Sequence, residues 1–171
     1  MVKQSKEGGG SIALLFSTLI VFINPAPQLD YHTLRFWGAN PEAPYTTIEH
    51  EVYSAADAHG LDRRLFRALV KVESGGNPKA LSPVGAVGLA QVMPFNHKRC
   101  GLVSPRQLWD VVNNTRCGAQ ILAEELEAYN GDVVKALQAY NGGPRCVNRC
   151  HESIEYSKKV LALATSSYRG S

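Results

Sequence analysis

Apolar positions along the chain recur mostly at three- and four-residue spacing, the period of helices with one buried face. From Thr46, residues Ile48, Val52, Ala55 and Ala56 share such a face, with Gly60 as the stop. Asp62 is placed to cap a second helix. In it Leu65, Leu69 and Val72 recur while Arg63, Arg64, Arg67 and Lys71 take the wet side, until Ser74-Gly75-Gly76-Asn77-Pro78 ends it. Residues 75–94 are too rich in Gly, Pro and Ser for a long helix and read as a shaped loop with a short hairpin or a single helical turn. Asp110 caps a third helix that runs to about Tyr129 through Ile121, Leu122 and Leu126, and Gly118 within it predicts close contact with a neighbouring element. Val133, Leu137 and Tyr140 mark a short helix closed by Asn141-Gly142-Gly143-Pro144. A last helix runs from about Ser153 through Ile154, Val160, Leu161 and Ala164. Strand-like alternation is nearly absent, so the predicted fold class is mainly α with at most a small hairpin.

One apolar stretch has no polar face. Residues Ile12 to Ile23 form an uncharged run of 12, preceded by Lys3, Lys6 and Gly8-Gly9-Gly10. A helix of that length spans roughly 18 Å, short of the ~30 Å hydrocarbon core of a bilayer. Residues 1–26 therefore read as an export signal, or, if uncut, a short membrane anchor. Residues 27–44, with Gly38, Pro41 and Pro44, read as an irregular leader, and 45–171 as a single domain.

Charge adds little: Lys plus Arg exceeds Asp plus Glu by 18 to 15, a net +3 too weak to argue for a nucleic-acid partner, and none is expected. The cysteines add more. An even number, four, fits the oxidising space beyond an inner membrane, and four cysteines permit three pairings. Cys100 and Cys117 enclose 16 residues, and closing that loop is worth about 3 kcal/mol. Cys146 and Cys150 on a regular helix would hold their Cβ atoms ~5–6 Å apart, wider than the ~3.5–4.5 Å of a disulfide, so that bridge requires an irregular turn, which Gly142-Gly143-Pro144 makes available. The favoured set is Cys100 with Cys117 and Cys146 with Cys150. A zinc site from His97, Cys100, Cys146 and Cys150 lacks a tight Cys-x-x-Cys pair, and no metal is expected.

Glu73 is the most informative carboxylate. At the last turn of its helix it faces the negative end of the macrodipole, which disfavours its ionised form and raises its pKa. A carboxyl protonated near neutrality can donate to a leaving oxygen. From Ser74 to Trp109 no Asp or Glu occurs, so no sequence-local carboxylate joins it, although Asp57, Asp110, Glu124 or Glu152 are free to fold beside it. Glycoside hydrolysis ordinarily uses two carboxylates. A lone one has to act first as acid and then as base, taking a proton from a hydroxyl of the same sugar so that the substrate closes a ring on itself.

Three linked stretches carry a family resemblance: Glu73-Ser74; Ser82-x-x-Gly85-Ala86-x-Gly88-Leu89-x-Gln91-x-Met93-Pro94; and Ala139-Tyr140-Asn141-Gly142-Gly143-Pro144. With the closing Glu152-Ser153-x-x-Tyr156, they resemble the signature of the soluble-type lytic transglycosylases with a lysozyme-like domain, in order and spacing, over about residues 46–165. The resemblance implies cleavage of the β-1,4 bond between N-acetylmuramic acid and N-acetylglucosamine in peptidoglycan glycan strands, with a 1,6-anhydromuramoyl end. It implies no cofactor; a monomer is expected, and the export segment with the paired cysteines predicts a periplasmic location. It implies Glu73 as the single acid/base, Ser82, Gln91 and Met93 lining sugar subsites, and Tyr140 beside the glutamate with a hydroxyl able to orient it. Asn141 neighbours Tyr140 in the same loop, and Glu152 corresponds to a buried or substrate-facing carboxylate. Small exported enzymes of this type resemble those that open the wall for secretion, conjugation or pilus machinery. Two departures stand out: Ala90 replaces the family's methionine, which would alter a subsite wall, and Gly142 replaces its alanine, which would let two positions reach φ > 0. A hydrolytic muramidase of the same fold and a non-catalytic wall-binding factor are the competing readings.

Overall fold

Helix α1 (Thr47–Ala58) buries Val52, Ala55 and Ala56, the face its spacing predicts, and the chain reverses at Gly60 with φ +66°. The computed structural model describes residues 47–166, so the predicted export segment and leader lie outside the described residues. Asp62 starts helix α2 (Arg63–Ser74) by accepting from the backbone N–H of Arg64 and Leu65. Gly75, at φ 67°, ends it by donating its N–H to the Lys71 carbonyl. Leu65, Phe66, Ala68, Leu69 and Val70 are buried, while Val72 is half-buried and the four basic residues stay exposed.

Helix α3 (Val111–Ala128) is capped by Asp110 accepting from Asn113 N–H, and α4 (Val133–Gly142) by Asp132 accepting from Lys135 N–H. Helix α5 (His151–Ser166) starts two residues before the predicted point, because the Cys150 carbonyl already accepts from Ile154 N–H. Between α2 and α3 the anticipated hairpin is reduced to isolated antiparallel bridges, Leu81 with Val87 and Val87 with Val92, and no strand forms among the described residues. Two 3-10 turns follow, Pro94–His97 and Pro105–Trp109. The second carries a capping box in which Ser104 Oγ accepts from Arg106 N–H and Gln107 Oε1 accepts from Ser104 N–H.

The core runs through all five helices and the Pro105–Trp109 turn. Phe66 and Leu69 of α2, Leu122 of α3, Leu137 of α4 and Leu108 of the second 3-10 turn are fully buried, and the loop itself contributes Val87, Leu89, Ala90 and Val92. Each buried leucine stabilises the fold by roughly 1.5–3 kcal/mol relative to exposure. The loop is therefore fixed from within by apolar packing as well as by its bridges.

Both favoured disulfides form: Cys100–Cys117 with Cα atoms 5.3 Å apart and Cys146–Cys150 with 4.7 Å. The second uses the irregular turn that its spacing demands, a 3-10 segment Pro144–Cys146 followed by Asn148 at φ 58°. With all four sulfurs committed, none is a thiolate for zinc. Among the described residues no cluster of three His, Cys, Asp or Glu is placed to hold a metal.

Candidate active site

Glu73 is the penultimate residue of α2, and α5 packs along that helix. Tyr156, on the second turn of α5, donates its hydroxyl to Glu73 Oε1 at 2.6 Å. Burial raises the Glu73 pKa from 4.5 to about 7, and the Tyr156 hydrogen bond opposes the rise. The direction matches the sequence expectation, but desolvation is the main cause and not the helix end. The other carboxylate oxygen makes no hydrogen bond, yet no buried side-chain oxygen lacks a partner among the described residues. That oxygen is therefore open to a ligand.

Among the described residues no second carboxylate acts on it. Asp57 accepts two hydrogen bonds from Arg63, Asp110 caps α3, and Glu124 pairs with Arg99. Glu152 is exposed in the first turn of α5. Of the two expectations for Glu152, buried or substrate-facing, its exposure removes the first: the buried face of this helix begins at Ser153 and continues with Tyr156, Ser157 and Val160.

Tyr140 lies in the last turn of α4, and burial, followed by the Glu73 charge, pushes its pKa well up. Its hydroxyl does not orient Glu73. It donates to the Ala90 carbonyl at 2.8 Å, and a phenol has one proton to give. The orienting hydroxyl belongs to Tyr156, a residue within the closing motif to which no role had been attached. Asn141 accepts from Ser153 Oγ at 2.8 Å, joining the end of α4 to the start of α5.

The loop residues divide by what they touch. Ser82 Oγ accepts from Ala86 N–H at 2.9 Å and closes the turn that bridges Leu81 to Val87. Gln91 sits at φ 47°, a costly conformation for a side-chain residue, and its amide donates to the carbonyls of Gly88 and Ala80 at 2.9 and 3.3 Å. Met93 precedes the Pro94–His97 turn, half-buried and outside the hydrophobic core cluster.

Ala90 is wholly buried, and a Cβ added at Gly118 of α3 would collide with its methyl. It faces that helix, so the missing methionine does not widen an accessible wall. The prediction of close contact at Gly118 holds, with Ala90 as the neighbour. Gly142 likewise is not a loosened hinge. Only Gly143 of the pair has positive φ, 77°, while a Cβ on Gly142 would lie 2.7 Å from Cys146 Cβ and collide with Ser153 Oγ. The smaller residue makes room for the disulfide turn.

Beneath the loop, Asn114 of α3 is 1% exposed and fully engaged. Its Oδ1 accepts from Ala90 N–H at 2.8 Å, and its Nδ2 donates to the carbonyls of Val87 and Leu108 at 2.9 and 2.8 Å. Sequence reading passed over it. The only signal is a polar residue on the inward side of α3, four positions after the Asp110 cap.

The family of the Transglycosylase SLT domain matches residues 52–161. The chain is 41% identical over 112 residues to a transglycosylase of Enterobacteria phage PRD1, a match covering 65% of this chain and 41% of the relative. It is 36% identical over 84 residues to the soluble lytic murein transglycosylase of Escherichia coli K12, covering 45% of this chain and 13% of that one. A lytic transglycosylase from Pseudomonas aeruginosa, solved as an inactive mutant, superposes with a TM-score of 0.63 at 29% identity, over 67% of this chain and 23% of that one. The helical fold is thus lysozyme-like, and the chain spans less than half the length of these relatives.

Proposed function

The chain belongs to the Transglycosylase SLT domain family, and from that premise we propose that it is a peptidoglycan lytic transglycosylase with Glu73 as its one acid/base. The observation that carries the reading is a carboxyl with a pKa of about 7, one oxygen held by Tyr156, the other open, and no other carboxylate among the described residues acting on it. Near neutral pH such a group is present in both forms, as a residue that must first give a proton and then take one requires.

Protonated Glu73 donates to the glycosidic oxygen, which leaves as the 4-hydroxyl of N-acetylglucosamine. The resulting carboxylate accepts the proton of the muramoyl 6-hydroxyl as that oxygen bonds to C1. One C–O bond breaks, one forms, the proton count is restored and no water is consumed. Tyr156 holds the carboxyl in place in both half-reactions. Ser82 and Gln91 shape the loop over the sugars through the bonds they make to it, Met93 lines the groove, and Asn141 anchors the end of α4. Glu152, exposed at the mouth of α5, contacts substrate outside the reacting centre.

The apolar run at Ile12 to Ile23 and the paired cysteines support export to the periplasm, with residues 1–26 as signal or anchor and 45–171 as a monomeric catalytic domain. A small exported wall-cutting domain suits local opening of the wall for a secretion, conjugation or pilus machine. Digestion of purified peptidoglycan tests the reaction. The expected muropeptides are lighter by one water than hydrolytic products; reducing-end products alone would make the enzyme a muramidase, and no cleavage would make it a wall-binding factor.

A further inference from the structure

Two polar rungs cross between α4 and α5. Ser153 Oγ donates to Asn141 Oδ1 at 2.8 Å, and one turn further along α5 Gln138 Nε2 donates to Ser157 Oγ at 3.4 Å. The order of the pairs makes the helices antiparallel, and the spacings, three residues on α4 and four on α5, keep each set on one face. Gln138, Ser153 and Ser157 are all buried, between apolar neighbours such as Leu137 and Val160. The Gln138 amide also turns its oxygen the other way: Oε1 accepts from Asn148 N–H at 2.8 Å, inside the turn closed by Cys146–Cys150, where Asn148 sits at φ 58°. One buried side chain of α4 thus holds both the turn that leads into α5 and the residue next to Tyr156.

Apolar contacts between helices are not directional, so they resist a small slide of α5 along α4 only weakly. Hydrogen bonds have narrow ranges of length and angle. The 2.6 Å bond from the Tyr156 hydroxyl to Glu73 Oε1 does not survive a slip of one helical residue, ~1.5 Å. We infer that Gln138 is a positioning residue for the site: through Asn148 and Ser157 it sets the register in which α5 presents the Tyr156 hydroxyl to Glu73. It touches neither Glu73 nor the reacting atoms and acts through Tyr156. Burial and the Tyr156 hydroxyl are the two influences on the Glu73 carboxyl. The charged groups on the helices packed against α2 are engaged elsewhere: on α1, Glu49 bonds Arg67 and Asp57 bonds Arg63, and on α5 Glu155 pairs with Lys158. On α2 itself Lys71 bonds the Gly75 carbonyl, and Tyr140 of α4 gives its proton to the Ala90 carbonyl. The catalytic meaning of this arrangement rests on Glu73 being the acid, but its test does not.

The experiment follows the Glu73 carboxyl carbon by NMR through a pH titration of the full chain labelled at glutamate. Gln138→Met keeps the length of the side chain and makes neither bond. In it the titration midpoint is expected to rise by roughly half a pH unit or more, toward its value in Tyr156→Phe, because the hydroxyl that opposes the effect of burial has moved off the carboxyl. Adding Gln138→Met to Tyr156→Phe is expected to move the midpoint no further. A lowered melting temperature with an unchanged midpoint in Gln138→Met overturns the inference, since the amide then contributes stability alone. An equal rise in both backgrounds overturns it too, since Gln138 would then act on Glu73 by a route other than Tyr156. If Gln138→Met does not fold, Ser157→Ala, which removes the amide's partner on α5, carries the same pair of expectations with and without Tyr156→Phe. Because the readout is a titration, absence of wall-cutting activity would overturn the proposed reaction and leave this result standing.

Discussion

Tyr156 reaches across 83 residues of sequence to place its hydroxyl 2.6 Å from Glu73 Oε1, and that bond works against the burial that raises the carboxyl's pKa. In Tyr156→Phe the opposing contribution is gone and the ring still packs. The Glu73 pKa should rise further, so the high-pH limb of kcat/KM against peptidoglycan moves up in pH while the maximal rate falls, since the carboxylate that the proposed ring closure needs is harder to form. Stability should drop by about 1–3 kcal/mol, the worth of a hydrogen bond to an ionisable partner. A limb that moves to lower pH would show that the hydroxyl favours the protonated form.

Replacement of the acid is the sharpest separate test. Glu73→Gln keeps an oxygen to accept from Tyr156 but has no proton to give or take. Cleavage should fall by at least ~10²–10⁴, the range for one general acid–base group, with an unaltered helical circular dichroism spectrum. Retained turnover would assign the chemistry to another carboxylate.

The same group makes stability pH-dependent, with a definite sign. Folded Glu73 has a pKa of about 7 against an ordinary 4.5, so between these values the folded state keeps a proton that the unfolded chain has released. The associated stabilisation is complete below pH 4.5 and is lost as pH rises through 7. Its ceiling is roughly 3 kcal/mol, and partial solvent access lowers it. Urea midpoints of wild type relative to Glu73→Gln should therefore decline from pH 4.5 to 7 and level off above. Parallel profiles across that window would mean that Glu73 titrates normally.

The helices were legible because their punctuation is local. Asp62 and Asp110 are caps that need only the next three residues, and Gly75 terminates α2 through a conformation that glycine adopts cheaply. The loop motif was legible as a pattern but not as a structure. Ser82 and Gln91 spend hydrogen bonds on the loop's own backbone, and no spacing rule distinguishes that from reaching for a sugar. The partners of Glu73 and Ala90 were beyond reach for a different reason: Tyr156 and Asn114 stand 83 and 24 positions away, and pairing at that range is decided by how helices pack. The Pro105–Trp109 turn, by contrast, is announced locally by Ser104-x-x-Gln107, a capping-box pattern.

Gly142 turns one of the family departures into a prediction. Restoring the alanine by Gly142→Ala puts a methyl against Cys146 and Ser153 Oγ, and overpacking of that kind costs about 1–3 kcal/mol. A lowered melting temperature should accompany loss of the Ser153 to Asn141 hydrogen bond, visible in the Asn141 side-chain amide resonances. An unchanged melting temperature would show that the disulfide turn shifts freely.

The two disulfides should separate stability from activity. Cys100 and Cys117 are 17 apart in sequence and Cys117 is 1% exposed, so Cys100→Ser with Cys117→Ser should cost about 3 kcal/mol by loop closure, with lost packing in addition. Cys146 and Cys150 are 4 apart, which lowers the loop term to roughly 2 kcal/mol. That smaller bridge nonetheless fixes the entry to α5, three residues before Ser153 and six before Tyr156, about 9 Å along the helix axis at ~1.5 Å per residue. Its removal frees the turn that sets the register of Tyr156 on Glu73. Cys146→Ser with Cys150→Ser should therefore show the milder fall in melting temperature and the larger fall in kcat/KM, assayed well below either melt. If the two losses rank in the same order, the α5 entry contributes stability alone and the Tyr156 register must be set by α5 packing on α2 and α4.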